Sequence, residues 1–139
     1  MKKIILDTNF LLIPYSLKID IFSEINRIVN EKYQIYVLQG VIHELEKIIK
    51  EQKGKHKDAA KVGLALINHK KIPVLDKEQK DLYTSVNSFE TVVDDIIVDI
   101  ADKDTIVATQ DKDLKLRLMN KGIKLIYSNI TPLRIFTLI

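Results

Sequence analysis

Short apolar runs of strand length alternate along this chain with segments of helical period, and that alternation restricts the possible folds more than any other property of the sequence. Ile4-Ile5-Leu6 ends at once in Asp7, as a strand buried on both faces reads. Ile21, Phe22, Ile25, Ile28 and Val29 then recur at helical spacing behind Asp20, a residue suited to an N-cap. Ile35 to Leu38 form a second strand-like run. Gly40 introduces a helix with Ile42, Leu45, Ile48 and Ile49 on one face and Gly54 as its C-cap, and a further helix runs from Asp58 to about His69. Val74-Leu75, after Pro73, reads as a short third strand. Val93, Ile96, Ile97 and Ile100 mark another helix, followed by a strand at 105–108, a helix from about Asp111 to Gly122 and a strand at 123–127. Strands separated by helices predict a parallel sheet with right-handed crossovers and helices on both faces, a three-layer α/β/α sandwich.

Composition narrows the chemistry. At 139 residues the chain has the size of one domain, and no repeat, low-complexity tract or Pro/Gly-rich linker divides it, so residues 1–139 read as a single unit. Ile (22), Leu (16) and Val (10) supply over a third of the residues, enough for a folded core rather than disorder. There is no cysteine, which excludes disulfides, thiol nucleophiles, Cys-ligated zinc and iron–sulfur clusters. Uncharged runs such as Phe10 to Leu17 are far short of the ~20 apolar residues of a membrane span. Met1-Lys2-Lys3 leads into Asp7 with no signal-peptide core, so a cytoplasmic protein is expected. No GxGxxG or GxxxxGK[ST] follows the first strand, which removes dinucleotide and P-loop nucleotide enzymes. The net charge of +3 neither demands nor excludes a nucleic-acid partner.

Acids near strand ends carry the functional signal. In open α/β sheets, ligands bind outside the carboxyl ends of the strands where strand order reverses. Asp7 directly follows the first strand, Glu44 lies one turn into the helix after the second, and Asp111 follows the strand at 105–108. Asp94, with Asp95 beside it, begins the helix leading into that strand. Taken singly, Asp111 reads as a helix cap, Asp94 as a first-turn acid and Glu44 as a solvated position. Asp7 is harder to dismiss, because a charge closing a buried strand is costly without a partner. Four carboxylates at one sheet edge repel one another unless a cation sits among them, and oxygen ligands select hard divalent ions.

These residues resemble a known family. Leu6-Asp7-Thr8-Asn9-Phe10, Val41-Ile42-His43-Glu44-Leu45, Val93-Asp94-Asp95-Ile96-Ile97 with Ala101, and Val107-Ala108-Thr109-Gln110-Asp111 are similar to the four motifs of the PIN domain. This is the nuclease fold of VapC-type toxins and of eukaryotic small-subunit rRNA-processing endonucleases. The segment from Ile13-Pro14 to Phe22 is nearer archaeal proteins of the rRNA-processing branch. The resemblance implies a central parallel five-stranded sheet of order 3-2-1-4-5, with the strand at Val74-Leu75 as the third. It implies a metal-dependent endoribonuclease, of toxin or rRNA-processing type, in which Asp7, Glu44, Asp94 and Asp111 hold Mg²⁺ or Mn²⁺. Asp94 is chosen over Asp95 because Asp94, Ile97 and Ala101 fit the family's helical spacing. Thr8, Asn9 and Thr109 are expected to orient the acids. Gln110 stands where the family usually has Asn or Arg.

A polyanionic substrate needs a basic surround. Lys47, Lys50, Lys53, Lys55, Lys57 and Lys61 are concentrated just beyond Glu44, and Lys112, Lys115 and Arg117 follow Asp111, so both clusters are candidates to meet RNA phosphates; a solvated helix face is the plainer account of the same lysines. RNA, a small antitoxin protein, ribosome-assembly factors and a second copy of the chain are the partners implied. A non-catalytic PIN-like scaffold that binds RNA is the alternative function. A dehalogenase-type phosphatase would need a second Asp where Asn9 stands, and a response-regulator receiver would need an acidic pair after the first strand.

Overall fold

The computed structural model describes residues 1–77, 89–129 and 136–139, with the backbone alone described at 89–91 and 136–138. Its elements are β1 (Lys2–Leu6), α1 (Thr8–Leu11), α2 (Ile13–Leu17), α3 (Ile21–Ile28), β2 (Tyr33–Tyr36), α4 (Gln39–Glu51), α5 (Gly54–His69), α6 (Phe89–Ile100), β3 (Thr105–Ala108), α7 (Lys112–Lys121), β4 (Lys124–Ser128) and β5 (Phe136–Leu138). They build one sheet in the order β2-β1-β3-β4-β5.

The four strands β2, β1, β3 and β4 are parallel, in register Ile4↔Ile35, Ile5↔Val107 and Val107↔Leu125. Two corrections to the five-stranded parallel sheet follow. Val74 meets the sheet only through a single parallel bridge to Val37, so the expected third strand is reduced to one contact. Two residues beyond Pro73 are too few for a ladder. The fifth strand is instead β5, which runs antiparallel to β4 with Tyr127 opposite Thr137. The apolar C-terminal segment thus pairs its backbone with this chain's own sheet.

Ile4, Ile5 and Leu6 are all buried, as is every residue of β3. Because successive strand side chains point to opposite faces, full burial requires cover on both sides, which is the three-layer arrangement. Each buried Ile or Leu contributes about 1.5–3 kcal/mol, and the core is continuous from β1 through Ile25, Leu45, Ile97 and Leu118. The helical faces read from the sequence place Ile21 and Ile25 of α3 and Leu45 of α4 in that core. Asp20 caps α3 through the amides of Phe22 and Ser23. Gly122 ends α7 at φ 80, donating to the Leu118 and Met119 carbonyls in a conformation that costs a residue with a Cβ.

Local boundaries differ from the sequence reading in several places, and β2 spans Tyr33–Tyr36 rather than Ile35 to Leu38, because Leu38 already stands at the N-cap of α4. Gly54 opens α5 rather than closing α4, whose C-cap is Gln52. Asp94 is the sixth residue of α6 and not its first turn. The short helices α1 and α2 carry too few residues to show a period. Gly63 sets how closely α5 meets α1, since a Cβ there would lie 2.7 Å from the Leu11 carbonyl oxygen.

Candidate active site

From β1 the chain turns to β2 on one side, and β3 lies on the other, so the strand order reverses between β1 and β3. Asp7 and the segment Thr109 to Asp111 leave the carboxyl ends of these two neighbours, where Leu6 pairs with Ala108 and the Asp7 amide donates to the Ala108 carbonyl at 2.9 Å. Asp7 is buried. Its Oδ1 accepts from the Thr8 amide at 2.9 Å, which caps α1. Its Oδ2 accepts from the Thr109 hydroxyl at 2.8 Å. That same hydroxyl oxygen accepts from the Asp111 amide at 3.0 Å, so one buried side chain joins the two strand-end acids.

Asp111 caps α7 by accepting from the Leu114 amide at 3.0 Å. Capping and a place at the crevice are therefore compatible roles for it, not rivals. Glu44 reaches the crevice from the second turn of α4, where its Oε2 accepts from the Thr8 hydroxyl at 2.5 Å. Thr8 thus links Glu44 to Asp7. Asn9 faces the loop after β3. Its Oδ1 accepts from the Gln110 amide at 3.0 Å and lies 3.3 Å from the Thr109 hydroxyl, tying α1 to the loop after β3.

The two adjacent acids of α6 separate clearly. Asp94 is half-buried, and its carboxyl is pushed up to about 7, first by desolvation and then by repulsion from Asp7 and Asp111. Asp95 is exposed and pairs with the Arg117 guanidinium at 2.9 Å. Position inside α6 also removes the first-turn explanation for Asp94, since no free backbone amide is available there.

The chemistry of this donor set suits a hard divalent cation, because it is all carboxylate oxygen and its members repel. Asp7, Glu44 and Asp111 are each held by hydrogen bonds of their own, and among the described residues no three His, Asp or Glu side chains already converge into a group that could hold a metal ion.

Of the cationic candidates, Lys47, Lys50, Lys53, Lys55 and Lys61 are exposed on α4 and α5, and Lys57 is partly buried. Lys112 is exposed. Lys115 places its Nζ over the Tyr127 ring, 4.5 Å from the centroid, and Arg117 is engaged with Asp95. Two contributors escape a reading of the sequence. The buried Asp76 accepts from the Gln39 amide at 2.7 Å and so caps α4, whose own N-cap, Leu38, has no side chain able to do it. Gln110 binds Ser128 at both ends of its amide. Neither partner is near in sequence, and no local pattern announces either contact.

A mainly parallel α/β sheet with acids near its switch point is an architecture suited to a nuclease-type α/β domain. The family model described as PIN like domain matches residues 4–129, and the chain belongs to the PIN-domain ribonuclease family. It is 35% identical to Ribonuclease VapC4 of Methanocaldococcus jannaschii over 125 residues, covering 88% of this chain and 87% of that protein. Among solved structures, the PIN domain endonuclease Utp24 matches with a TM-score of 0.65 at 21% identity, over 98% of this chain and 90% of that one. VapBC-1 from nontypeable Haemophilus influenzae matches at TM-score 0.54 and 11% identity, over 88% and 96%. VapBC2 from Rickettsia felis, solved with a DNA fragment from its promoter, matches at 0.55 and 11%, over 91% and 99%. At those identities the structural likenesses establish the fold.

Proposed function

We propose that this protein is a metal-dependent endoribonuclease hydrolysing RNA phosphodiesters, with Asp7, Glu44, Asp94 and Asp111 as the residues that hold Mg²⁺ or Mn²⁺. The observation that carries the reading is that Asp94, its carboxyl pushed up to about 7 first by burial, also feels the charges of Asp7 and Asp111 at the switch point. The VapC4 relative, itself a ribonuclease, supports the activity.

A divalent ion supplies positive charge that neutralises the phosphodiester oxygens and makes water a stronger nucleophile. The chain's own residues prepare for it. Thr109 and the Thr8 amide hold both oxygens of Asp7, so its orientation is set before any ligand arrives. The Thr8 hydroxyl holds Glu44 against the same loop. The Asp94 carboxyl, pushed up to about 7, would have to be free of its proton to hold such an ion, so cation binding and protonation would compete there. Lys47, Lys50, Lys53, Lys55 and Lys57 on α4 and α5, with Lys112, Lys115 and Arg117 on α7, are proposed to meet the substrate backbone. Setting the four acids aside leaves 15 acids against 22 bases, which makes the remainder a basic domain around an acidic pit.

Toxin-type and rRNA-processing roles share all of these residues. The 35% relative supports the toxin type, and with it a small inhibitory partner protein. No helix among the described residues is long and apolar enough to cross a membrane. The deciding measurement is cleavage of RNA in Mg²⁺ or Mn²⁺ by wild type and by Asp7→Asn and Asp94→Asn. Both variants are expected to lose activity, and undiminished cleavage by both overturns the reading. A Mn²⁺ titration of the intact chain separates this enzyme from a scaffold that binds RNA without metal.

A further inference from the structure

Gln110 lies between two residues of the site yet carries no charge and bonds to neither carboxylate. Its Nε2 donates to the Ser128 carbonyl at 3.1 Å, its Oε1 accepts from the Ser128 amide at 2.7 Å, and its own amide donates to Asn9 Oδ1 at 3.0 Å. β3 and β4 are already joined by backbone pairing, which continues in the Thr109 amide donating to the Ile126 carbonyl at 3.0 Å. There the backbone ladder stops, because the chain must turn to start α7 at Lys112. The side-chain amide of Gln110 imitates one more peptide unit and satisfies both polar groups of Ser128.

We propose that Gln110 is a positioning residue that bolts the loop after β3 to the end of β4, and through Asn9 to α1, so that Thr109 and Asp111 are fixed relative to Asp7. Three consecutive residues then divide the work. Thr109 bonds Asp7, Gln110 anchors the loop on both flanks, and Asp111 stands at the crevice. Side-chain length is decisive. Asparagine is one methylene shorter and cannot span the same gap to Ser128, whereas methionine preserves the length and removes both polar ends.

The activity part of this proposal rests on the nuclease reading, and the test keeps the two apart. Full-length Gln110→Asn and Gln110→Met are compared with wild type for Mn²⁺ binding by calorimetry, for kcat and KM on RNA at saturating Mn²⁺, and for amide hydrogen exchange. Both variants are expected to bind Mn²⁺ about 10–100-fold more weakly, with kcat lowered and KM for RNA within about twofold. The amides of Gln110 and Asp111 should exchange faster while Leu125, paired with Ile139, keeps its rate. Wild-type Mn²⁺ affinity and kcat in both variants overturn the proposal, as does acceleration of Leu125 in step with Asp111, which marks general loosening. If wild type itself neither binds Mn²⁺ nor cleaves RNA, the nuclease reading fails alone. The exchange rates then decide: acceleration confined to Gln110 and Asp111 upholds the anchor, and unchanged rates refute it.

Discussion

Asp7 and Asp111 leave strands β1 and β3 and each caps the helix that follows, whereas Glu44 and Asp94 stand inside α4 and α6, where backbone amides are already committed to the helix. The two pairs reach one crevice but are held there by different physics. Backbone N–H groups hold the strand-end acids, and that support depends on an accepting oxygen rather than on charge. The helix acids need another source of compensation. Glu44 finds it in the Thr8 hydroxyl, while Asp94 resists ionisation until neutral pH. The fold therefore contributes two acids held by backbone amides, one held by a side-chain hydroxyl and one, Asp94, whose ionisation its burial resists.

The sharpest way to break that comparison is to remove charge and cap separately at one strand-end acid. Asp111→Asn keeps an acceptor for the Leu114 amide, so it should lose cleavage on the order of 10²-fold with an unchanged melting temperature. Asp111→Ala should lose the same activity and, in addition, about 1 kcal/mol of stability for the missing cap. Equal destabilisation by Asn and Ala, measured by thermal or urea unfolding, removes the capping argument.

At Asp94 the expected sign is opposite. The folded carboxyl titrates near 7 and an unfolded one near 3.8, so between these values the folded protein binds more protons, and stability falls as pH rises from about 4 to about 7. Asp94→Asn should therefore raise the melting temperature of the metal-free protein at neutral pH and flatten that pH dependence. A variant no more stable than wild type at neutral pH contradicts the repulsion described for this site.

The smallest expected effect lies on the lysine face. If Lys47 and Lys50 meet phosphates, replacing each with Gln should reduce the slope of log affinity for single-stranded RNA against log salt by about 0.7. An unchanged slope marks that face as merely solvated.

Legibility followed the range of the interactions. Asp7 and Asp111 are visible in the sequence because a strand-length apolar run ends in an acid, a purely local pattern. The helical period behind Asp20 foretells α3, and Asp111 and Gly122 mark the two ends of α7, for the same reason. The edge strand β5 was not visible, because apolarity at the C-terminal end says nothing of direction or partner. Nor was the reduction of Val74 to one bridge, which depends on where Val37 stands. Asp94, a candidate acid, reads from the sequence as the start of its helix because the apolar period beside it is plain only from Val93 on, whereas α6 begins at Phe89. Gln110 and Asp76 stayed hidden because their partners, Ser128 and Gln39, lie 18 and 37 residues away.

The bond from Thr109 to Asp7 spans 102 residues of chain. During synthesis the hydroxyl that orients Asp7 and the strand that seats it are made about a hundred residues after the acid itself. Contacts of such separation also form slowly, since a long loop must close before they stabilise anything. A nascent chain thus carries Asp7 without its orienting partner until β3 and Thr109 have followed it, so the two halves of the crevice are joined late in folding.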